Sequence, residues 1–482
     1  MTFYNRAWQL MMPLLLSACA VGPDYVPPTQ SAADHYTAPQ ETRESASNIA
    51  LGKPMDAEWW TIFSSVALNN LIQHAVGDNY DLKAARETLS QAEAAVDAQQ
   101  GSLMPQMSLN ALAGRQKYGV ALFGPSNFVI PPFTYYEVGP SLSWTPDIFG
   151  GGKHQIERQQ ALAAYQKHEL DALYVELTGN VVSQAIQLAA VKSELVTVQG
   201  LVESDEKNLD MIQSAVLVGA ATQSDILNAQ ASLAQDRQLI PPLKQQSSLN
   251  LHMLSVLLGK APADWSLTTL RFEELTLPPL LPVALPTTLV HGRPDILAAE
   301  SGLQAASASL GVAMANQYPA LTLTANMLQE ALTPSNLFLG AGNAWALLGG
   351  ISMPLFDGGT LAAEKQEAIH GYQASLAEYR QTVVHAFSQV ADALTALAND
   401  EDTLKITTLM LQIAQSSLDL TRQSQNAGNS SRLEVETAHR SLIQAQFKCE
   451  EAQLQRYLDV VRLFVALGGS PLVANTSQHS KL

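Results

Sequence analysis

Charge is scarce in this 482-residue chain: Asp, Glu, Lys and Arg together make up 15% of it, against about 25% in an ordinary soluble domain. Much of its surface must therefore be uncharged, facing neighbours, lipid or a lumen. The 27 Lys and Arg are outnumbered by 44 Asp and Glu, for a formal net charge of -17, and they form no cluster. Without a concentrated basic face to track phosphates, nucleic-acid binding is excluded. A solvated acidic protein and a cation-favouring pore both accommodate that charge. Cysteine is rarer still, with only Cys19 and Cys449, too few for a disulfide framework or a thiolate zinc cluster. HExxH, a histidine pair at helical spacing and GxSxG are all missing, so neither a metal centre, a cofactor nor catalysis is expected. Gly150-Gly151-Gly152-Lys153 lacks the glycine spacing and the following Ser or Thr of a phosphate loop and reads as a strand-to-helix turn. Past the N-terminus, no window is read as a run of about 20 apolar residues, so a bilayer could be crossed only by strands in a closed barrel.

What is present begins with a signal peptide over residues 1–18, in which Arg6 is followed by an apolar stretch from Ala7 to Leu16. Leu16-Ser17-Ala18-Cys19 resembles a bacterial lipobox, with cleavage between Ala18 and Cys19 and with Cys19 becoming an N-palmitoyl, S-diacylglycerol cysteine. By resemblance to sorting rules, Ala20 in place of Asp directs the chain to the outer membrane. Cys449 is then left alone as a packed helix residue. Residues 19–57, with the polar, Pro-bearing stretch Gly22 to Pro54, read as an extended arm.

After the arm the sequence repeats itself. Leu103 to Gly114 and Val138 to Gly152 precede one long helical pattern; Gln317 to Leu328 and Leu347 to Gly359 precede another. Gly219 and Gly428 stand 209 residues apart, as do Gly259 and Gly468. Two copies of one unit, over 58–260 and 291–469, are separated by a segment 261–290 and followed by a tail 470–482. Each copy holds two strand candidates, near 106–114 and 136–145 and near 320–328 and 345–353. Leu321, Leu323, Ala325 and Met327 alternate with Thr322, Thr324 and Asn326; Val138, Leu142 and Trp144 alternate with Gly139, Ser141 and Ser143. A membrane barrel strand with a wet interior alternates in this way, and so does a soluble half-buried strand. Loops rich in Gly, Pro and Asn are expected over Arg115–Tyr135 and Gln329–Ala344.

Each copy also holds one very long helix. Lys153 to Leu217 and Thr360 to Asn426 contain no proline, and about 65 residues at 1.5 Å each span roughly 100 Å. Ile369, Leu376, Val383, Val390, Leu397, Leu404, Leu411 and Leu418 recur every seven residues, the repeat of a left-handed supercoil. Leu170, Leu177, Val191 and Val198 form a similar row in the first copy. The fold class is therefore mixed α and β with an internal two-fold repeat. Four strands cannot close a membrane barrel, which needs about eight, so several chains must pool theirs.

Over about Gly22 to Gly469 the chain resembles the outer-membrane efflux proteins, the TolC and OprM-type outer-membrane factors, and in particular their lipoprotein branch of the NodT type. The resemblance rests on EWWTIF (Glu58 to Phe63), LNNLIQHAVGDNYDLKAA (Leu68 to Ala85), HGRPDILAAE (His291 to Glu300), YPAL (Tyr318 to Leu321) and MPLFDGG (Met353 to Gly359). Gly292 departs from a second Arg that family members often carry there. The resemblance implies a homotrimer with a twelve-stranded barrel in outer-membrane lipid, a periplasmic helical barrel and a small mixed equatorial belt drawn from Ala261 to Val290, the arm and the tail. It also implies two partners, a periplasmic adaptor protein and an inner-membrane efflux transporter. The chain would be a passive exit duct for drugs or other small solutes.

Gly219 and Gly428 are expected to end the long helices in tip turns, with Gln223-Ser224-Asp225 and Ser430 to Glu434 starting the return helices. By resemblance the second tip carries the periplasmic gate, for which Asp225, Arg432, Glu434 and Glu436 are candidates. Ser430 stands where some members place a gating Arg. Asp225 and Glu434 also suit simple helix capping. Two other functions stay open: an exit duct for type I protein secretion, and a periplasmic coiled-coil lipoprotein scaffold without a channel, which leaves the strands unexplained.

Overall fold

The computed structural model describes residues 21–28, 36, 49–52, 58–117, 131–264, 270–283, 290 and 292–469. Ala18, Cys19 and the tail 470–482 lie outside the described residues. The elements in chain order are β1 (Ile49–Leu51), α1 (Val66–Asp78), α2 (Tyr80–Ser102), β2 (Gln106–Gln116), β3 (Phe133–Trp144), α3 (Gly151–Leu217), α4 (Gln223–Arg237) and α5 (Ile240–Leu257), then β4 (Leu281–Val283), α6 (Pro294–Ala315), β5 (Ala320–Ala331), β6 (Asn343–Ser352), α7 (Thr360–Asn426) and α8 (Arg432–Ala466).

The chain divides into two compact units. The first takes residues up to Pro28, Thr88–Gln166 and Ala299–Tyr379; the second takes Thr29–Glu87, Lys167–Ala298 and Arg380–Leu482. In the first unit β2, β3, β5 and β6 form an antiparallel sheet in the order β2-β3-β5-β6. β3 starts at Phe133, β5 runs to Ala331 and β6 starts at Asn343, so the loops are shorter than the residue pattern suggested. Ladder hydrogen bonds need only extended backbone, and they continue past the last alternating side chain. At Gly139 and Pro140 the β3–β5 register is interrupted. Pro140 has no N–H to offer, and a Cβ on Gly139 would run into the Met327 carbonyl.

The long helices start and stop by the same chemistry in both copies. Before α3, Asp147 accepts from the Lys153 backbone N–H at 2.7 Å and Gly150 has φ +83°. Before α7, Asp357 accepts from the Gly359 and Leu361 N–H groups at 2.9 and 2.8 Å. Gly150–Lys153 is accordingly a strand-to-helix turn. Each helix runs 67 residues, about 100 Å at the α-helical rise. Every member of the seven-residue row on α7 is buried or half-buried. An 18-residue window of α3 does reach the length and mean hydropathy, 1.2, of a membrane-crossing helix, which the reading of the sequence missed. Of that window 56% is buried inside the protein, and Val181, Val182, Ile186 and Leu188 are among the buried residues of α3, so protein packing accounts for the apolarity of the helix.

In the second unit the EWWTIF segment plugs the end of α8. Trp59 stacks on Phe464 with ring centroids 5.4 Å apart, and Phe63 meets Tyr457 edge-on at 5.8 Å. The buried Tyr457 hydroxyl donates to the Leu275 carbonyl at 2.7 Å. Arg293, also buried, donates to Asp295 at 2.8 Å, to the Ala466 carbonyl at 2.6 Å and to Gln389. It thereby ties α6, α7 and the last turn of α8. The arm also contributes structure, since β1 pairs in parallel with β4. The two copies differ on the return path: α8 is continuous over 35 residues, whereas α4 and α5 are split. Pro241 and Pro242 open α5, and a proline cannot continue the hydrogen-bond ladder of a preceding helix.

Candidate functional site

Directly opposed residues in an antiparallel sheet project to the same face, so the register sorts the side chains. One face carries Met107, Leu109, Ala111, Val138, Leu142, Trp144, Leu323, Ala325, Met327, Trp345, Leu347 and Ile351. Leu109, Trp345, Leu347 and Ile351 are at least 74% exposed, which an aqueous protein would not leave on one contiguous surface. The other face carries Ser108, Asn110, Ser141, Ser143, Thr322, Thr324 and Asn326, with Leu112, Leu328 and Leu348 among them. Ser141 pairs with Ser108 at 2.8 Å and accepts from Asn110 at 2.7 Å. Leu321 and Leu323 thus lie on the apolar face and Thr322 and Thr324 on the polar one, the partition the alternation called for. Among the described residues, β2 and β6 each pair along one side only.

The register also exposes an acidic pair that the sequence reading missed. Glu137 stands directly opposite Glu330 on the polar face, at the end of the sheet away from the long helices. Like charges in this position destabilise a sheet. Only the cross-strand register brings residues so far apart in sequence together, so no local pattern marks them.

At the tips, Gly219 and Gly428 have φ +74° and +80°. Ala220 N–H reaches the Ala215 carbonyl and Gly219 N–H the Val216 carbonyl, at 2.8 and 3.0 Å; Asn429 and Gly428 repeat the pattern to Ser424 and Gln425. Both are Schellman turns, which require a residue in the left-handed region. Each return helix then opens on a capping box. Thr222 accepts from Asp225 N–H at 3.3 Å while Asp225 takes the Thr222 N–H and hydroxyl at 2.7 Å each. Ser431 accepts from Glu434 N–H at 3.2 Å while Glu434 takes the Ser431 N–H at 2.6 Å. The bond from the Thr222 side chain, and then that from its backbone, hold the Asp225 carboxyl below the ordinary range.

Arg432 is the first residue of α8 and is exposed. Glu436 turns away from it: its carboxylate accepts from Ser204 on α3 at 2.9 Å and lies 4.0 Å from His439. One turn further along α8, Arg440 donates to Asp205 on α3 at 3.3 Å and to Asp236 at the end of α4 at 2.6 Å. The candidate residues therefore cluster at two equivalent turns. Charged bonds cross between helices here from Arg237 to Glu206 and from Arg440, which motif reading passed over because its partners lie more than 200 positions away.

The family model for outer membrane efflux proteins matches residues 71–260 and 285–469. Nodulation protein T of Rhizobium leguminosarum bv. viciae is 28% identical over 98% of this chain and 95% of its own length. The pyoverdine export outer membrane protein OpmQ of Pseudomonas aeruginosa is 28% identical over 95% of each. Among solved structures, the outer-membrane channel OprN superposes with a TM-score of 0.85 at 25% identity, over 94% of this chain and 99% of that one. With both repeats matched and the whole fold shared, the chain belongs to the outer membrane efflux protein family, as a channel protein of the Gram-negative outer membrane.

Proposed function

We propose that three copies of this chain form the exit duct of a tripartite efflux system, fed by an inner-membrane transporter through a periplasmic adaptor. The observation that carries this reading is the sheet: four strands, one apolar exposed face, one polar face and two unpaired edges. Open edges in lipid leave backbone groups without partners, so strands from neighbouring copies close the barrel and the polar face lines a wet passage. The duct is passive and catalyses nothing; solutes such as drugs or siderophore-like molecules move down it. Glu137 and Glu330, repeated by symmetry around the outer mouth, together with the net charge of -17, favour cations there. Purified protein should give stepwise, cation-preferring conductance in a planar bilayer, and a protein that gives none is a scaffold instead.

The gate lies at the tip turns, where Glu434, Asp225, Arg432 and Glu436 set closure and ion preference. A capping role and a gating role separate cleanly at Glu434. Glu434→Gln keeps a side chain that can complete the capping box but removes the charge, whereas Ser431→Ala removes the cap, at about 1 kcal/mol, and keeps the charge. The gate reading expects altered cation preference only in the first; altered preference in neither returns Glu434 to capping alone. Cys19 carries the lipid. The Val21 N–H donates to the Phe149 carbonyl at 2.9 Å, five residues past the end of β3, which holds the arm near the level where the barrel leaves the bilayer. Mass spectrometry of the mature protein should find acylated Cys19. Cys19→Ser should still trimerise, since one anchor adds little to an inserted barrel.

A further inference from the structure

In the first unit the N-terminal arm is seated at the foot of the inner strand pair. α3 follows β3 and α6 leads into β5, and β3 pairs with β5 in the middle of the sheet, so the start of α3 and the end of α6 stand side by side below the β3–β5 seam. The arm lies between them. Gly22 packs on the buried His154 of α3 and Gly311 of α6 closes on the same ring: a Cβ on either glycine would stand 2.6 Å from an imidazole atom. One residue before Gly22, the Val21 N–H is bonded to the Phe149 carbonyl at 2.9 Å. Phe149 in turn stacks on Tyr318, just ahead of β5, with ring centroids 5.0 Å apart. Three residues after Gly22, the Tyr25 hydroxyl donates to Glu300 on α6 at 3.4 Å.

The apolar face above this seat is not even. Its outer strands raise two ridges, Met107 and Leu109 on β2 and Trp345, Leu347 and Ile351 on β6, each 73–77% exposed. Between them the inner strands leave a lower strip, where Trp144 faces Leu323 and Leu142 faces Ala325; Leu142, Leu323 and Ala325 are half-buried, and so is Pro140 further up β3. Cys19, outside the described residues, is two residues from Val21, at most about 7 Å of extended chain. An acyl chain on it belongs in hydrocarbon, hence on the apolar face, and enters at the foot of this strip. One leaflet is about 15 Å deep, half of a hydrocarbon core of roughly 30 Å. At about 3.4 Å per residue that depth covers four to five residues of strand, the distance from Trp144 to Pro140.

We propose that an acyl chain carried by Cys19 lies on this strip, so that the apolar face of β3 and β5 is a seat for the protein's own lipid and not for exchangeable phospholipid. The inference rests on the lipoprotein reading above. The Phe149 carbonyl and the His154 ring fix the last peptides before the lipid, and a tether of two residues gives the acyl chain an effective concentration at the strip that free phospholipid has no tether to match.

The test uses the full-length protein in cells grown on a fatty acid that carries a photoactivatable diazirine midway along its chain. After irradiation, mass spectrometry of cross-linked peptide pairs containing Cys19 should find its lipid joined to β3 or β5 several-fold more often than to β2 or β6. A second arm leaves every described contact in place: inserting Gly-Ser-Gly-Ser between Ala20 and Val21 adds about 13 Å of reach. The insertion should spread the pairs over all four strands while the trimer and the lipid persist. Equal yields on the four strands without the insertion, Cys19 lipid joined to phospholipid alone, or a pattern that the insertion leaves unchanged would overturn the seat. Mature protein whose Cys19 bears no acyl group refutes the lipoprotein reading instead.

Discussion

Ala325 and Asn326 are neighbours on the inner strand β5, and the register sends them to opposite faces. Ala325 is opposed by Leu142 and Leu347, Asn326 by Ser141 and Ala346. Both lie near the middle of a 12-residue strand, roughly 17–20 Å from either end at about 3.4 Å per residue, and so near the midplane of the bilayer. Arg on the lipid face at that depth costs about 2–4 kcal/mol per chain. Every closed barrel carries three copies, so about 6–12 kcal/mol is set against assembly. Arg at Asn326 stays in water beside the Ser108, Asn110 and Ser141 hydroxyl and amide cluster and should cost no more than an ordinary surface change, about 0.5 kcal/mol. Refolding into lipid vesicles, with the trimer followed by semi-native electrophoresis across a denaturant titration, measures the difference. Ala325→Arg should assemble far less than Asn326→Arg. Equal impairment, or a greater defect at Asn326, would mean that the two faces have been exchanged or that the sheet does not meet lipid.

Three further predictions concern the helical part. Gly428→Ala should destabilise by about 1 kcal/mol through backbone strain alone, because φ is +80° and an added Cβ meets nothing within 4 Å; an unchanged thermal midpoint would refute the Schellman assignment. Arg293→Met removes three bonds and leaves the Ala466 carbonyl without its donor, so about 3 kcal/mol should be lost, read as a lowered denaturation midpoint. Burial first, and Asp459 next, raise the Asp400 carboxyl to about 7 from an ordinary 3.8. The folded state then holds a proton that the unfolded chain releases, so its contribution is complete below about pH 4 and is lost as pH rises through 7. Asp400→Asn should raise stability at pH 8 by on the order of 1 kcal/mol and leave pH 4 unchanged; an unaltered pH slope counts against it.

What could be read from the sequence was whatever a single element imposes on its own residues. The seven-residue row from Ile369 to Leu418 reports one helix and its buried face, and the alternation from Leu321 to Met327 reports one strand and its two sides. Gly219 and Gly428 declared themselves because a left-handed turn leaves few other residues available. The parts that escaped depend on alignment between elements. Glu137 and Glu330 meet only once β3 and β5 are in register, and Asp205, Asp236 and Arg440 only once three helices are docked. The loop limits were misjudged because ladder bonding outlasts alternation. The apolarity of α3 was underrated because its buried residues between Val181 and Val191, Val182, Ala185, Ile186 and Leu188 among them, surround the helix instead of forming one stripe.

The capping boxes at Asp225 and Glu434 look at first like a reason to dismiss both residues from the gate. A cap, however, fixes a carboxylate without neutralising it. At Asp225 the Thr222 hydroxyl and N–H favour the ionised form, so the charge persists over the whole physiological range while its rotamer is held by bonds of 2.7 Å. An unanchored glutamate at a pore mouth would average its field over many rotamers and would lose side-chain entropy on confining it. Anchored at the third residue of a return helix, each carboxylate has already lost that freedom to the cap, and its place is set by the turn itself. Under the proposed gate, three-fold repetition would produce a ring of fixed radius, whose field is focused by the narrow opening. On the proposed gate the cap and the gate are one arrangement serving two ends, and the position that starts the helix is also the one that holds a charge at the tip.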